Sequence, residues 1–192
     1  MTGVIILAAG SSSRFGSPKQ NLIYKGQTLL QRAINAAIQS ICKPVIVILG
    51  ANAEAIDPTV DSNNVTVIYN NDWQEGMASS IRVGLSHLIK TDAEMSSVVL
   101  MLCDQPFVDS RLIDKLVENR LKTGIVACAY DQVAGVPVLF NSNYFPELLS
   151  LNGQEGAKKL LLKYKEDVTN LPFPLGSIDI DTIKDFENLE DE

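Results

Sequence analysis

The residues able to do chemistry in this chain fall in four short stretches. The first is Leu7-Ala8-Ala9-Gly10-Ser11-Ser12-Ser13-Arg14-Phe15-Gly16-Ser17-Pro18-Lys19, a run of small residues that carries two cations. Backbone with so little side chain lets a ligand come close at Leu7, Ala8, Ala9 and Gly10. Exposed amides in such a turn bind phosphate, and Arg14 and Lys19 add charge-assisted contacts to triphosphate oxygens. An ordinary surface turn is the competing reading, and the two cations favour the phosphate. The spacing is neither G-x-G-x-x-G nor that of a P-loop, which excludes those two nucleotide-binding motifs. The second stretch is Cys103-Asp104-Gln105-Pro106, just after the apolar run Val98 to Leu102. A carboxylate there is either a turn or cap residue or a magnesium ligand, since magnesium takes one or two carboxylates and completes its shell with phosphate oxygens and water. The third is Asp179-Ile180-Asp181, in which alternation along a strand would turn both acids to one side. The fourth is Asn70 through Ser80. Polar groups of Asn70, Ser79 and Ser80 could read a base edge, Gly76 permits close backbone approach, and a helix start offers amides to an anion. A helix after a loop, well capped by Ser79 or Ser80, is the alternative there.

These stretches need a scaffold that brings them to one edge. Short apolar runs at Val4 to Leu7, Val45 to Leu49, Val65 to Tyr69 and Val98 to Leu102 have the length and composition of buried strands. Between them lie helical stripes, Leu30, Ala33, Ile34, Ala37, Ile38 and Ile41 in one and Ile81, Leu85, Leu88 and Ile89 in another. Thr28 with Gln31 forms a capping box, and Asp109 or Ser110 can cap the helix of Leu112, Ile113, Leu116 and Val117. Alternating strand and helix with right-handed crossovers predicts a three-layer α/β fold, a mainly parallel sheet with helices on both faces. Ligands of such sheets collect beyond the carboxyl ends of the strands, where the glycine loop and Asp104 must emerge. After Leu121 the pattern loosens. Ile125 to Ala129 and Val136 to Phe140 read as two strands joined by Tyr130 to Gly135 in a hairpin-like excursion over the sheet. A helix with Ala157, Leu160, Leu161 and Tyr164 follows, then extended chain at Leu171 to Pro174, a short strand at Ile178 to Ile180, and a last helix from near Thr182.

At 192 residues with 46% hydrophobic residues, the chain is expected to be one domain spanning 1–192. No apolar run approaches the roughly 20 residues of a bilayer span, so a soluble, cytoplasmic protein with no membrane partner is expected. Cys42, Cys103 and Cys128 lack any metal or redox spacing and read as reduced core residues. The formal net charge of -7 and the absence of a basic cluster exclude a nucleic-acid partner, though not a nucleoside triphosphate held by a few cations and a metal. His87 is given no role.

The pattern L-A-A-G-x-S-x-R-x-G-x-x-K, here Leu7 through Lys19, resembles the signature of the MobA-like nucleotidyltransferases. Lys19-Gln20, Glu75 through Arg82, Cys103 through Pro106 and Asp179 through Thr182 are similar to the molybdenum cofactor cytidylyltransferase branch, and the likeness spans nearly the whole chain. The resemblance implies a Rossmann-like nucleotidyltransferase fold, with CTP, magnesium and a phosphorylated pterin cofactor as partners. It implies that Arg14, Lys19 and Asp104 are catalytic. It places Asp104 with Asp181 on one magnesium, Asp179 being the fallback ligand. An acceptor molybdoenzyme or its chaperone follows as a further partner. Two positions depart from the family, which has a histidine where this chain has Val136 and an acid where it has Gln154. Both departures concern the acceptor.

The expected reaction is in-line attack of the acceptor's terminal phosphate on the α-phosphorus, with pyrophosphate leaving. A phosphate dianion needs no protein nucleophile, so alignment and charge neutralisation suffice. The alternatives are cytidylyl, uridylyl or guanylyl transfer to another phosphorylated small molecule, or a nucleotide-binding cofactor chaperone without catalysis.

Overall fold

The computed structural model describes residues 1–13, 15–56, 64–120 and 124–190. The strands are β1 (Thr2–Leu7), β2 (Ile23–Tyr24), β3 (Gln27–Thr28), β4 (Val45–Leu49), β5 (Thr66–Tyr69), β6 (Ser97–Leu102), β7 (Ile125–Tyr130), β8 (Val133–Asn141) and β9 (Val168–Pro172). The helices are α1 (Leu29–Gln39), α2 (Ala53–Ile56), α3 (Met77–Thr91), α4 (Ser110–Asn119), α5 (Phe145–Leu149), α6 (Ala157–Lys163) and α7 (Ile183–Glu190).

Seven strands form one sheet in the order β5-β4-β1-β6-β8-β7-β9, and β2 with β3 makes a separate small hairpin. β5, β4, β1 and β6 run parallel, β8 is antiparallel to both of its neighbours, and β9 is parallel to β7. The apolar runs of β1 and β4 are continuous because both faces are covered. Alternation sorts them: Val4 and Ile6 join the cluster under α1 and α4 with Ile34 and Leu116, while Ile5 and Leu7 join Ile81 and Leu85 of α3, Leu148 of α5 and Leu160 of α6. The three-layer, mostly parallel expectation is met.

β1 stands between β4, reached through α1 on one face, and β6, reached through α3 on the other. The strand order therefore reverses between β1 and β6, and a crevice opens beyond their carboxyl ends. Helix starts largely follow the sequence. Thr28 caps α1 by accepting from Gln31 N at 3.0 Å, and Asp109 caps α4 by accepting from Leu112 N at 2.8 Å. α3 differs. It starts at Met77, so Ser79 and Ser80 lie inside its first turn and Gly76 is the cap.

The second half departs from expectation in three places. β7 and β8 are not an excursion over the sheet; β8 lies within it, between β6 and β7. The connection is only Asp131 and Gln132, at φ 50° and 62°, since two left-handed residues make the hairpin turn whose twist suits adjoining strands. Val168–Pro172 is an edge strand, tolerant of the proline at its end. Ile178 to Ile180 is not a strand. It is held by Ile178 N donating to Leu175 O at 3.3 Å, by Ile180 N donating to Asp104 O at 3.0 Å, and by burial of Ile180 against Tyr24, Leu29 and Leu189.

Candidate functional site

The loop after β1 owes its shape to Gln20, which is buried. Its Nε2 donates to Ala8 O at 2.9 Å and Gly10 O at 3.1 Å, and its Oε1 accepts from Ser12 Oγ at 3.2 Å. Ser12 Oγ accepts in turn from Lys19 N at 3.1 Å. The loop carbonyls are thus tied back into the protein, and Gly10 faces open space, where an added Cβ would meet nothing within 4 Å.

Lys19 lodges between two carboxylates. Its Nζ donates to Asp104 Oδ2 at 2.7 Å and to Asp181 Oδ1 at 2.8 Å. Burial opposes charging this amine, but attraction to Asp104 and the hydrogen bonds to Asp104 and Asp181 outweigh it and hold its pKa above the usual lysine range. Asp104 sits where β6 leaves the sheet, is only 8% exposed, and keeps its Oδ1 buried without a partner. Asp181 is presented by the start of α7, where Thr182 N donates to Asp185 Oδ2 at 2.7 Å and Asp185 N to Thr182 Oγ1 at 3.3 Å, a reciprocal capping box. Asp179 lines the same cleft. Burial first, then Asp104 and Asp181, push its carboxyl above the usual range.

The cleft these groups face has a volume of about 450 Å³, with Ala8, Gly10, Lys19, Trp73, Asp104 and Gln154 among its lining residues. Leu7, Ala9, Gly76, Ser80 and Asp181 line it too. Arg14 lies outside the described residues. Asn70 and Ser79 point elsewhere. Asn70 Nδ2 donates to Ser79 Oγ at 2.8 Å and Ser80 Oγ at 2.9 Å, its Oδ1 accepts from Asp72 N at 3.0 Å, and Ser79 Oγ donates to Gly76 O at 2.8 Å. These two side chains brace the loop before α3 instead of offering free groups to a base. Gly76, at φ 123°, is required by its neighbour: a Cβ would strike the carbonyl of Gly153. Arg82 closes the same wall, donating to Leu151 O at 2.6 Å and to both Glu75 oxygens at 2.8 and 2.6 Å. Sequence reasoning missed Gln20 as the brace of the glycine loop and Trp73 as a cleft wall. A carboxamide beside Lys19 in a run of small residues was the available signal for the first.

A divalent cation fits this chemistry. Asp104 has a buried oxygen without a partner, and the place between Asp104 and Asp181 already attracts a cation in Lys19. Among the described residues no group of three or more metal-binding side chains occurs, so these two carboxylates would need phosphate oxygens and water to complete a shell. All three cysteines are free and buried, and no helix among the described residues is long and apolar enough to cross a membrane.

Comparison with known proteins finds relatives over nearly the whole chain. The chain is 25% identical over 186 residues to the molybdenum cofactor cytidylyltransferase of Escherichia coli (strain K12), covering 95% of this chain and 92% of that protein. It is 27% identical over 203 residues to the nicotine blue oxidoreductase of Paenarthrobacter nicotinovorans, covering 98% and 96%. The crystal structure of Rv0371c from Mycobacterium tuberculosis H37Rv superposes with a TM-score of 0.86 at 30% identity, covering 100% of this chain and 98% of that one. A manganese complex of the same protein superposes at 0.83 with 29% identity. Residues 4–168 match the MobA-like NTP transferase domain, and the chain belongs to that family of nucleotidyltransferases.

Proposed function

We propose that this enzyme transfers CMP from CTP to the terminal phosphate of a molybdopterin cofactor, releasing pyrophosphate. The observation that carries the reading is Lys19 held between Asp104 and Asp181 beside the glycine loop, a cation and two acids gathered where a triphosphate can be bound and neutralised. The acceptor phosphate oxygen forms a bond to the α-phosphorus while the bond from that phosphorus to the bridging oxygen breaks, and pyrophosphate carries the electron pair away. The amides of Ala9 and Gly10 and the Lys19 ammonium orient the triphosphate and offset its charge, while the Ala8 amide stays in the sheet, donating to Ile48 O at 3.0 Å. Arg14 is assigned the same duty by its place in the motif. Magnesium, when bound by Asp104 with Asp181 or Asp179, supplies further neutralisation of the phosphates. Gly76 and Ser80 line the nucleoside end of the cleft in this reading, and an acceptor molybdoenzyme or its chaperone takes the product.

The test is pyrophosphate release from each of the four ribonucleoside triphosphates with magnesium, with and without molybdenum-loaded pterin cofactor. Release confined to CTP plus the cofactor is expected. Release with another triphosphate would reassign the base, and release with a different phosphorylated acceptor would reassign the second substrate.

A further inference from the structure

The Asp104 carboxylate has little of its own to hold it. Among the described residues its side chain is bonded by Lys19, at Oδ2, and its Oδ1 is buried without a partner. A Lys19 drawn away to a nucleotide phosphate leaves even Oδ2 bare. The carboxylate then keeps its place only as well as the loop Asp104-Gln105-Pro106-Phe107 keeps its own.

Three anchors fix that loop. The Asp104 carbonyl accepts from Ile180 N at 3.0 Å. Gln105, which with Tyr130, Val133 and Val136 lines a second cleft of about 300 Å³, donates to Val136 O at 3.1 Å and Gly176 O at 2.9 Å. Pro106 has no N–H, so its carbonyl is the backbone group it can offer, and Arg32 Nη2 of α1 donates to it at 3.0 Å. Arg32 in turn rests on an aromatic platform. Tyr24 of the β2–β3 hairpin is 3% exposed, and the guanidinium carbon lies over its ring, 5.0 Å from the centre. The same ring meets Phe107 edge-on, with centroids 6.4 Å apart and planes at 74°. Tyr24 also packs with Leu29, Leu189 and Ile180, the residue before Asp181. One ring therefore supports both acid-bearing segments, and the guanidinium above it grips the first.

Fold stability alone does not account for this arginine. It is half-buried, its Nε is buried without a partner, and it makes no ion pair among the described residues. The cost of desolvating so incompletely bonded a charge offsets much of what its hydrogen bond contributes. We infer that Arg32 is a positioning residue: seated on Tyr24 and bonded to Pro106 O, it holds the backbone that aims the Asp104 carboxylate at the cation shared with Asp181. This rests on the reading of those two acids as ligands of one divalent cation.

The experiment replaces Arg32 in the full chain with methionine, which keeps an apolar stem, and with lysine, which keeps the charge but lacks the planar fork. Each protein is titrated with manganese in the absence of nucleotide, melted in chelator, and assayed for pyrophosphate release. Removing a group that orients a metal ligand costs about 10–100-fold in metal affinity or activity, and Arg32 acts through the backbone, so Arg32→Met should weaken manganese binding about tenfold. It should lower kcat more than it raises KM for the nucleotide, and melt in chelator near the native temperature. Arg32→Lys should fall between it and the native chain. Native manganese affinity in either variant overturns the inference, and so does a lowered melting temperature as the sole change. If Arg32→Met does not fold, Arg32→Lys decides on the same criterion. Absence of manganese binding by the native chain overturns it together with the shared-cation reading. Manganese binding weakened as expected, with no pyrophosphate release from any acceptor, leaves the inference standing and sinks the transfer reading.

Discussion

In the proposed reading Asp104 and Asp181 share a metal ion whose place Lys19 occupies, so ammonium and metal compete when no nucleotide is bound. Replacing it with methionine keeps the length and apolar stem and removes the charge. The Nζ bond to Asp104, whose side chain is 11% exposed, and that to Asp181, whose side chain is 45% exposed, are both charge-assisted. A hydrogen bond involving a charged group contributes about 1.5–3 kcal/mol, and the Asp181 bond is discounted because water screens it. The pair therefore costs an incoming cation about 2 kcal/mol, before counting the repulsion between ammonium and metal. Removing it should tighten manganese binding about 30-fold at the conversion of 1.4 kcal/mol per factor of ten. The assay is titration of the nucleotide-free chain with manganese, following the free ion by electron paramagnetic resonance. Lys19→Met should also melt earlier than the native chain in chelator, because two neighbouring carboxylates lose their counter-charge, and manganese should restore it. Equal or weaker manganese binding by Lys19→Met would refute the competition, and with it the assignment of Asp104 and Asp181 to a shared cation.

Three further outcomes are expected. Gln20→Leu strands the Ala8 and Gly10 carbonyls and should cost about 1–3 kcal/mol in urea unfolding while raising KM for the nucleotide more than it lowers kcat. Gly76→Ala forces a Cβ into the Gly153 backbone at φ 123° and should destabilise by about 2 kcal/mol or more in thermal melts, with Asn70→Ser as a milder change to the same loop. Burial pushes the Cys42 thiol up to about 11 and the Cys128 thiol up to about 12, so both stay protonated at pH 8 and should resist Ellman's reagent until the chain unfolds. Because these folded-state values lie above the unfolded thiol value of about 8.5, their contribution to stability is whole below that pH and is lost as pH rises towards 11. The urea midpoint should therefore fall between pH 8 and pH 10.

What the sequence made legible was the part whose pattern is local. Val4 to Leu7, Val45 to Leu49 and Val98 to Leu102 are buried on both faces, so their apolar runs are unbroken and mark strands well. β8 and β9 escaped in part because their signals are weak. β8 begins at Val133-Ala134-Gly135, with a half-exposed valine and a glycine, and β9 is a half-exposed edge strand ending in proline. The two-residue turn was hidden for a related reason: Asp131-Gln132 lacks the glycine that normally announces left-handed backbone.

The site divides along the same line. A glycine loop states its purpose within thirteen consecutive residues, Leu7 through Lys19. The meeting of Lys19 with Asp104 and Asp181 does not, because the partners are 85 and 162 positions away and only the topology brings them together. Asn70 and Ser79 show the opposite hazard. Polar side chains in a loop that opens onto a cleft read as ligand contacts, yet a buried amide must satisfy both its donors and its acceptor, and Asn70 does so within its own loop. The second cleft was harder to read because its walls include Tyr130 and Val133, which the sequence placed in a connecting loop, and Val136, and they gather beside Asp104 only because β8 lies in the sheet next to β6.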